Sequence, residues 1–253
     1  MPRTARKKSE NGIYHLMLRG INQQNIFENE EDNKKFLDIL ETYKTEIDYK
    51  IYAYCLMGNH VHLLIKEGKE EFSNTMKRIG AGYVYWYNWQ YGRKGHLFQD
   101  RYRSEAVEND RYFLAVLRYI HQNPIKAGIV KDIDTYEWSS YREYIGEKGI
   151  VDTDFVLSML DNDRDKAIQS FINFHAEITS DEYLEVKEAR KTISDKEIKE
   201  LVMAKFHFPL ASLQNQPQKT QAEVLKYLKE LEGSSLRQIS RLTGFTVNKI
   251  FRS

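Results

Sequence analysis

The sequence predicts an α+β fold over residues 1–150, a ferredoxin-like split βαβ antiparallel sheet with one added helix. An all-α C-terminal region with a helix-turn-helix follows it. Three observations lead there. Alternating and helically periodic segments follow one another as strand, helix, strand, strand, helix, strand, the order of two interleaved βαβ units. Gly58-Asn59 separates two alternating runs, a strong hairpin signal. Beyond residue 150 the apolar residues recur only at helical spacing.

Residues 1–11 read as a flexible arm, and residues 13–19 alternate as a first strand that Gly20 and Asn22 terminate. From residue 30 to about residue 49, Phe36, Leu40, Tyr43 and Ile47 mark an amphipathic helix. Residues 50–57 form the next strand, with Ile51, Ala53 and Cys55 expected on one face and Tyr52, Tyr54 and Leu56 on the other. A second helix, from about residue 70 to residue 91, should bury Phe72, Met76, Ile79, Tyr83 and Tyr87. Its further aromatics Tyr85, Trp86 and Trp89 exceed what one buried stripe needs. After the basic loop Gly92-Arg93-Lys94-Gly95, residues 96–107 read as extended chain. A third helix begins at the capping residues Asn109 or Asp110 and is expected to stop by Pro124.

The domain reading is a catalytic unit at 1–150, a helical linker region at 151–192 and a small helical domain at 193–253. Residues 152–175 carry one or two amphipathic helices, and 181–192 is a strongly charged stretch. Within the last domain, the run from Leu236 to Phe245 has the helix, glycine turn and new helix of a helix-turn-helix.

Composition narrows the function classes. The 253 residues are 41% hydrophobic and 30% charged, an ordinary globular balance. No apolar run approaches the ~18–20 residues of a membrane span, and the basic, polar N-terminus lacks a signal-peptide core, so a cytoplasmic protein without membrane partners is expected. The single cysteine, Cys55, falls at an apolar position and reads as packing. Net charge is only +1, but Lys77, Arg78, Arg93, Lys94, Arg101 and Arg103 face one acid, Asp100, between residues 77 and 103. The arm adds Arg3, Arg6, Lys7 and Lys8. Such a stretch suits a phosphate backbone, although charge runs are more often solvated faces.

The chemistry begins at Gly58-Asn59-His60-Val61-His62-Leu63-Leu64-Ile65. On a strand His60 and His62 project from one face while Val61, Leu63 and Ile65 line the other. Two neutral imidazoles side by side grip a metal ion, yet two ligands do not make a site, and a pair of solvent-facing histidines is the commoner outcome. Tyr119 and Asn123 lie one turn apart on the third helix. A tyrosine hydroxyl is a poor nucleophile unless its electrophile is activated, as a divalent cation does to a phosphoryl group. An amide oxygen from Asn123 would make a third ligand, although Asn before Pro is also a common helix ending.

Taken together, Gly58-Asn59-His60-Val61-His62-Leu63-Leu64, Gly95-His96-Leu97-Phe98-Gln99-Asp100-Arg101-Tyr102 and Arg118-Tyr119-Ile120-His121-Gln122-Asn123-Pro124-Ile125-Lys126-Ala127-Gly128 resemble the HUH single-stranded DNA transposases with one catalytic tyrosine, most closely the REP-associated branch. The resemblance spans roughly residues 13–144. It implies a metal, Mg2+ or Mn2+, on His60 and His62, and Tyr119 attacking a DNA phosphate to leave a 5′-phosphotyrosine link and a free 3′-hydroxyl. The implied partner is single-stranded, hairpin-forming DNA. Asn123 stands where many relatives place a glutamine ligand. The competing reading is a non-catalytic single-strand binder or regulator derived from a transposase, since basic and aromatic sheets also hold single strands by stacking. Monomer and homodimer stay equally open.

Overall fold

Strand β1 (Ile13–Arg19) lies between β3 (His60–Lys66) and the edge strand β4 (Arg103–Ala106), and β2 (Lys50–Met57) closes the other edge, giving the order β2-β3-β1-β4. Every neighbouring pair is antiparallel. Helix α1 (Glu30–Ile47) carries the chain past a gap that β3 fills by hairpin, and α2 (Phe72–Gln90) returns it to the far edge. The computed structural model describes residues 8–177, 193–231, 234 and 236–252. Arg3, Arg6 and Lys7 of the basic arm and the charged stretch 181–192 lie outside the described residues.

Both faces of the sheet are covered. Leu16, Leu18, Leu56, Val61, Leu63 and Ile65 pack against Phe36 and Leu40 of α1 and against Met76, Ile79 and Tyr83 of α2. The five α2 residues expected to be buried are all buried, while Tyr85 and Trp89 stand 79% and 73% exposed on its outer side. On the opposite face Ala53, Cys55 and Leu64 meet α3 (Asp110–Lys126) through Phe113, Val116, Leu117 and Ile120. The short α4 (Tyr141–Tyr144), α5 (Thr153–Leu160) and α6 (Arg164–Ala176) complete this second core with Tyr144, Val156, Leu157 and Phe171. Residues 153–176, expected in a linker region, are therefore structural here, because an apolar helix face is stable only when buried against another element.

Three local expectations are corrected. The β2–β3 register shifts between Ile51 and Ala53, so Ile51 joins Tyr54 and Leu56 in the first core while Tyr52 joins Ala53 and Cys55 in the second. Strict alternation fails at that bulge. Of residues 96–107 only Arg103–Ala106 is strand, and Phe98 makes an isolated bridge to Gly20. Helix α3 does not stop at Pro124 but runs through it to Lys126. The missing proline N–H leaves the Ile120 carbonyl without its usual donor. The Asn123 amide compensates, donating to Tyr119 O at 2.9 Å and reaching Ile120 O at 3.4 Å.

The chain divides into two compact units, Met1–Leu184 and Glu185–Ser253. In the second, α7 (Asp195–Phe206) starts from a Ser194–Glu197 capping box, and α8 (Gln218–Glu230) packs with it over Val202, Leu213, Val224 and Leu228. Helices α9 (Leu236–Thr243) and α10 (Val247–Arg252) meet at Gly244, whose φ of 72° supplies the left-handed turn of the expected helix-turn-helix.

Candidate active site

His60 and His62 share one face of β3, with ring centroids 5.1 Å apart and planes at 85°. Val61, Leu63 and Ile65 are buried in the opposite core, which fixes the side on which the histidines emerge. Helix α3 crosses that side and sets Tyr119 edge-on to His62 at 5.5 Å between centroids. Strand β1 brings two residues that the motifs do not contain. His15 lies 5.8 Å from the Tyr119 ring, and Arg19 pairs in register with His60.

Burial sets the charge of this cluster. His60 is held down to about 4 by burial and then by the Arg19 cation, and His15 to about 3 by burial. His62 falls well below its usual value by burial and by its neighbours His15 and His60. All three rings are therefore neutral at neutral pH, the state in which an imidazole binds a cation. His62 Nδ1 meets His15 Nε2 at 3.0 Å, and His60 Nδ1 meets Asn59 Oδ1 at 2.6 Å. His60 and His62 are thus each engaged through Nδ1, which leaves Nε2 as the ring nitrogen available to a cation.

The donor set fits a divalent cation through two histidines. Among the described residues no three His, Cys, Asp or Glu side chains group for a metal, so any third protein ligand would be of another type. Asn123 is buried, and its nitrogen is turned to its own helix, which leaves Oδ1 as the atom to offer. Gln122 is no substitute, since its amide donates to the His175 and Glu177 carbonyls. Tyr119 has no exposed surface, and Lys126 Nζ stands 4.9 Å from its ring centroid.

The six predicted DNA contacts have different surroundings. Lys77 and Arg101 line one cavity beside α2, and Arg103 on β4 pairs in register with Met17, on the histidine face. Lys94 is exposed. Arg78 is engaged by Glu70 at 3.2 Å, and Arg93 packs over the Tyr87 ring and donates to Gln24. His15 and Arg19 were missed. Alternation along residues 13–19 puts both on one face, but only the antiparallel pairing of β1 with β3 shows that it is the face of His60 and His62.

Residues 8–123 match the model of the family described as IS200-like transposases. This similarity covers just under half of the chain. It includes His60, His62, Tyr119 and, as the last residue, Asn123. A curated relative, the REP-associated tyrosine transposase of Escherichia coli (strain K12), is 23% identical over 120 residues, which are 47% of this chain and 69% of the relative. A solved REP-associated tyrosine transposase bound to a REP hairpin superposes with a TM-score of 0.51 at 19% identity. It covers 58% of this chain and 87% of that one, a likeness of fold. Helices α5 and α6 and the second unit lie beyond the matched segment.

Proposed function

We propose that the chain nicks and joins single-stranded, hairpin-forming DNA through a covalent tyrosine intermediate. The observation that carries this reading is Tyr119 set edge-on to His62, with His60 on the same sheet face. His60 and His62 would hold a divalent metal, Mg2+ or Mn2+, through Nε2, with Asn123 Oδ1 as third ligand. When bound, that ion would supply Lewis-acid polarisation of the scissile phosphoryl oxygen. The Tyr119 oxygen attacks phosphorus as its proton leaves, the phosphorus–O3′ bond breaks, and the departing oxygen is protonated to a free 3′-hydroxyl. Attack by a 3′-hydroxyl on the phosphotyrosine reverses these bonds and joins strands. Arg19 and Arg103, on the same sheet face as the histidines, neutralise the phosphate. Because the Tyr119 ring is fully buried, attack follows a movement that uncovers its hydroxyl. None of the described helices is long and apolar enough to cross a membrane.

A second reading, a single-strand binder without chemistry, is favoured by one observation: α2 presents Tyr85 and Trp89 to solvent as stacking platforms while the nucleophile is covered. Incubation with end-labelled hairpin DNA and Mn2+, followed by denaturing electrophoresis, separates the two. A labelled protein band supports the enzyme, and tight binding without such a band supports the binder.

A further inference from the structure

A cavity of about 360 Å³ opens on the sheet face opposite the histidines, between α2 and the segment 98–102. Leu18, Met76, Phe98 and Tyr102 form its apolar walls, and Lys77 and Arg101 stand at its rim with one acid, Asp100. Ser73 and Asn74 add hydrogen-bonding groups beside them. The volume is at the small end of ligand pockets, which run from about 300 to 1,000 Å³, and suits one flat ring system. Gly80 lines it as well, and a Cβ added there would sit 4.0 Å from Phe98 Cε2, in ordinary van der Waals contact.

We propose that this cavity receives one unstacked base of the DNA strand, with Lys77 and Arg101 on the phosphates that flank it. The assignment rests on the reading of the chain as a single-strand DNA protein. Aromatic and apolar walls hold the face of a base, polar groups meet its edge, and two cations outweigh the single acid at the rim. The location supports it as well. Leu18, in the cavity wall, and Arg19, opposite His60, are consecutive residues pointing to opposite faces at one end of β1. A strand passing round the β4 edge meets Arg101 on the cavity side and Arg103 on the histidine side. The base in the cavity then lies on the strand that carries the phosphate at Tyr119, and the protein reads sequence there.

The test is an abasic scan of the single-stranded flank of a hairpin oligonucleotide, with binding and covalent adduct both measured on the full chain. Wild type should lose about tenfold in affinity at one position, as stacking on aromatic residues provides. Gly80→Leu fills the cavity from a helix interior where leucine is the better helix former, so its fold should hold, as circular dichroism would verify. In that variant the same position should no longer matter. Lys77→Ala should weaken binding without moving the sensitive position. A flat scan, or a position equally sensitive in Gly80→Leu, overturns the cavity assignment while any adduct keeps the enzyme reading. A sensitive position without an adduct keeps the cavity and removes the enzyme. A chain that binds no single-stranded oligonucleotide removes both.

Discussion

His15 Nε2 lies 3.0 Å from His62 Nδ1, joining two buried, stacked imidazoles across β1 and β3. With both rings neutral, one must donate and the other accept. When His62 ligates through Nε2, its Nδ1 carries the proton and His15 is the acceptor. His15→Ala should therefore weaken Mn2+ binding by about 10–100-fold, the usual effect of removing an outer partner of a ligating histidine. Calorimetric titration would show it. Unchanged affinity would mean that His15 only fills space.

Tyr119→Phe should abolish the covalent adduct while keeping hairpin binding. The ring is retained in its contacts with His15 and His62, so stability should fall by no more than the ~1 kcal/mol of one hydrogen bond. Chemical denaturation beside the gel assay checks both halves. An adduct persisting in this variant would move the nucleophile, with Tyr112 on the same helix the first alternative.

Phe171 of α6 is fully buried and stacks on Tyr144 at 4.5 Å, far outside the family-matched segment. Phe171→Ala should cost about 3–5 kcal/mol, the usual result of emptying an aromatic site in a core. A urea curve for the full chain, followed through the first unit, would reveal it. A negligible change would return residues 153–176 to the status of a dispensable connection.

Buried neutral histidines make the fold acid-sensitive. His175 is held near 3 by burial, and His121, 2.9 Å away, is lowered by burial and by His175. Their folded-state values lie below the unfolded value near 6.5, so the unfolded chain takes up the extra protons between them. Their contribution is whole above about pH 6.5 and is lost as pH falls from there toward 3. Urea midpoints should decline from pH 6.5 downward, before ordinary carboxylates titrate. A flat profile between pH 6.5 and 5 would contradict the burial of this pair.

Lys94, Arg101 and Arg103 are exposed and carry no ion pair among the described residues. Replacing all three by alanine should reduce the salt slope of single-strand binding by about 2, at ~0.7 per phosphate contact. An unchanged slope places the phosphate track elsewhere. Arg93, tied to Gln24 and Tyr87, should affect stability more than slope.

Much of this fold was legible because each element carries its own period. The apolar stripe of α2 and the alternation of β3 name their buried residues directly, and Gly58-Asn59 marks the hairpin between β2 and β3. The bulge at Ile51 was not legible, since an extra residue in a strand leaves composition unchanged and only the pairing partner reveals it. For the site, His60, His62 and Tyr119 could be placed from spacing within one element, and the structure brings His62 and Tyr119 into ring contact. His15 and Arg19 join them through strand register, a property of two segments some forty residues apart.

Pro124 divides α3 just after Tyr119, and its effect is mechanical. One rung of the backbone ladder is absent, replaced by a longer contact from a side chain. The nucleophile stands on the N-terminal side of that gap, and Lys126, which covers its ring, stands on the other. Cover and nucleophile thus share one helix and stand on opposite sides of its missing rung, so a change at Pro124 or Asn123 acts on how Lys126 sits over the Tyr119 ring.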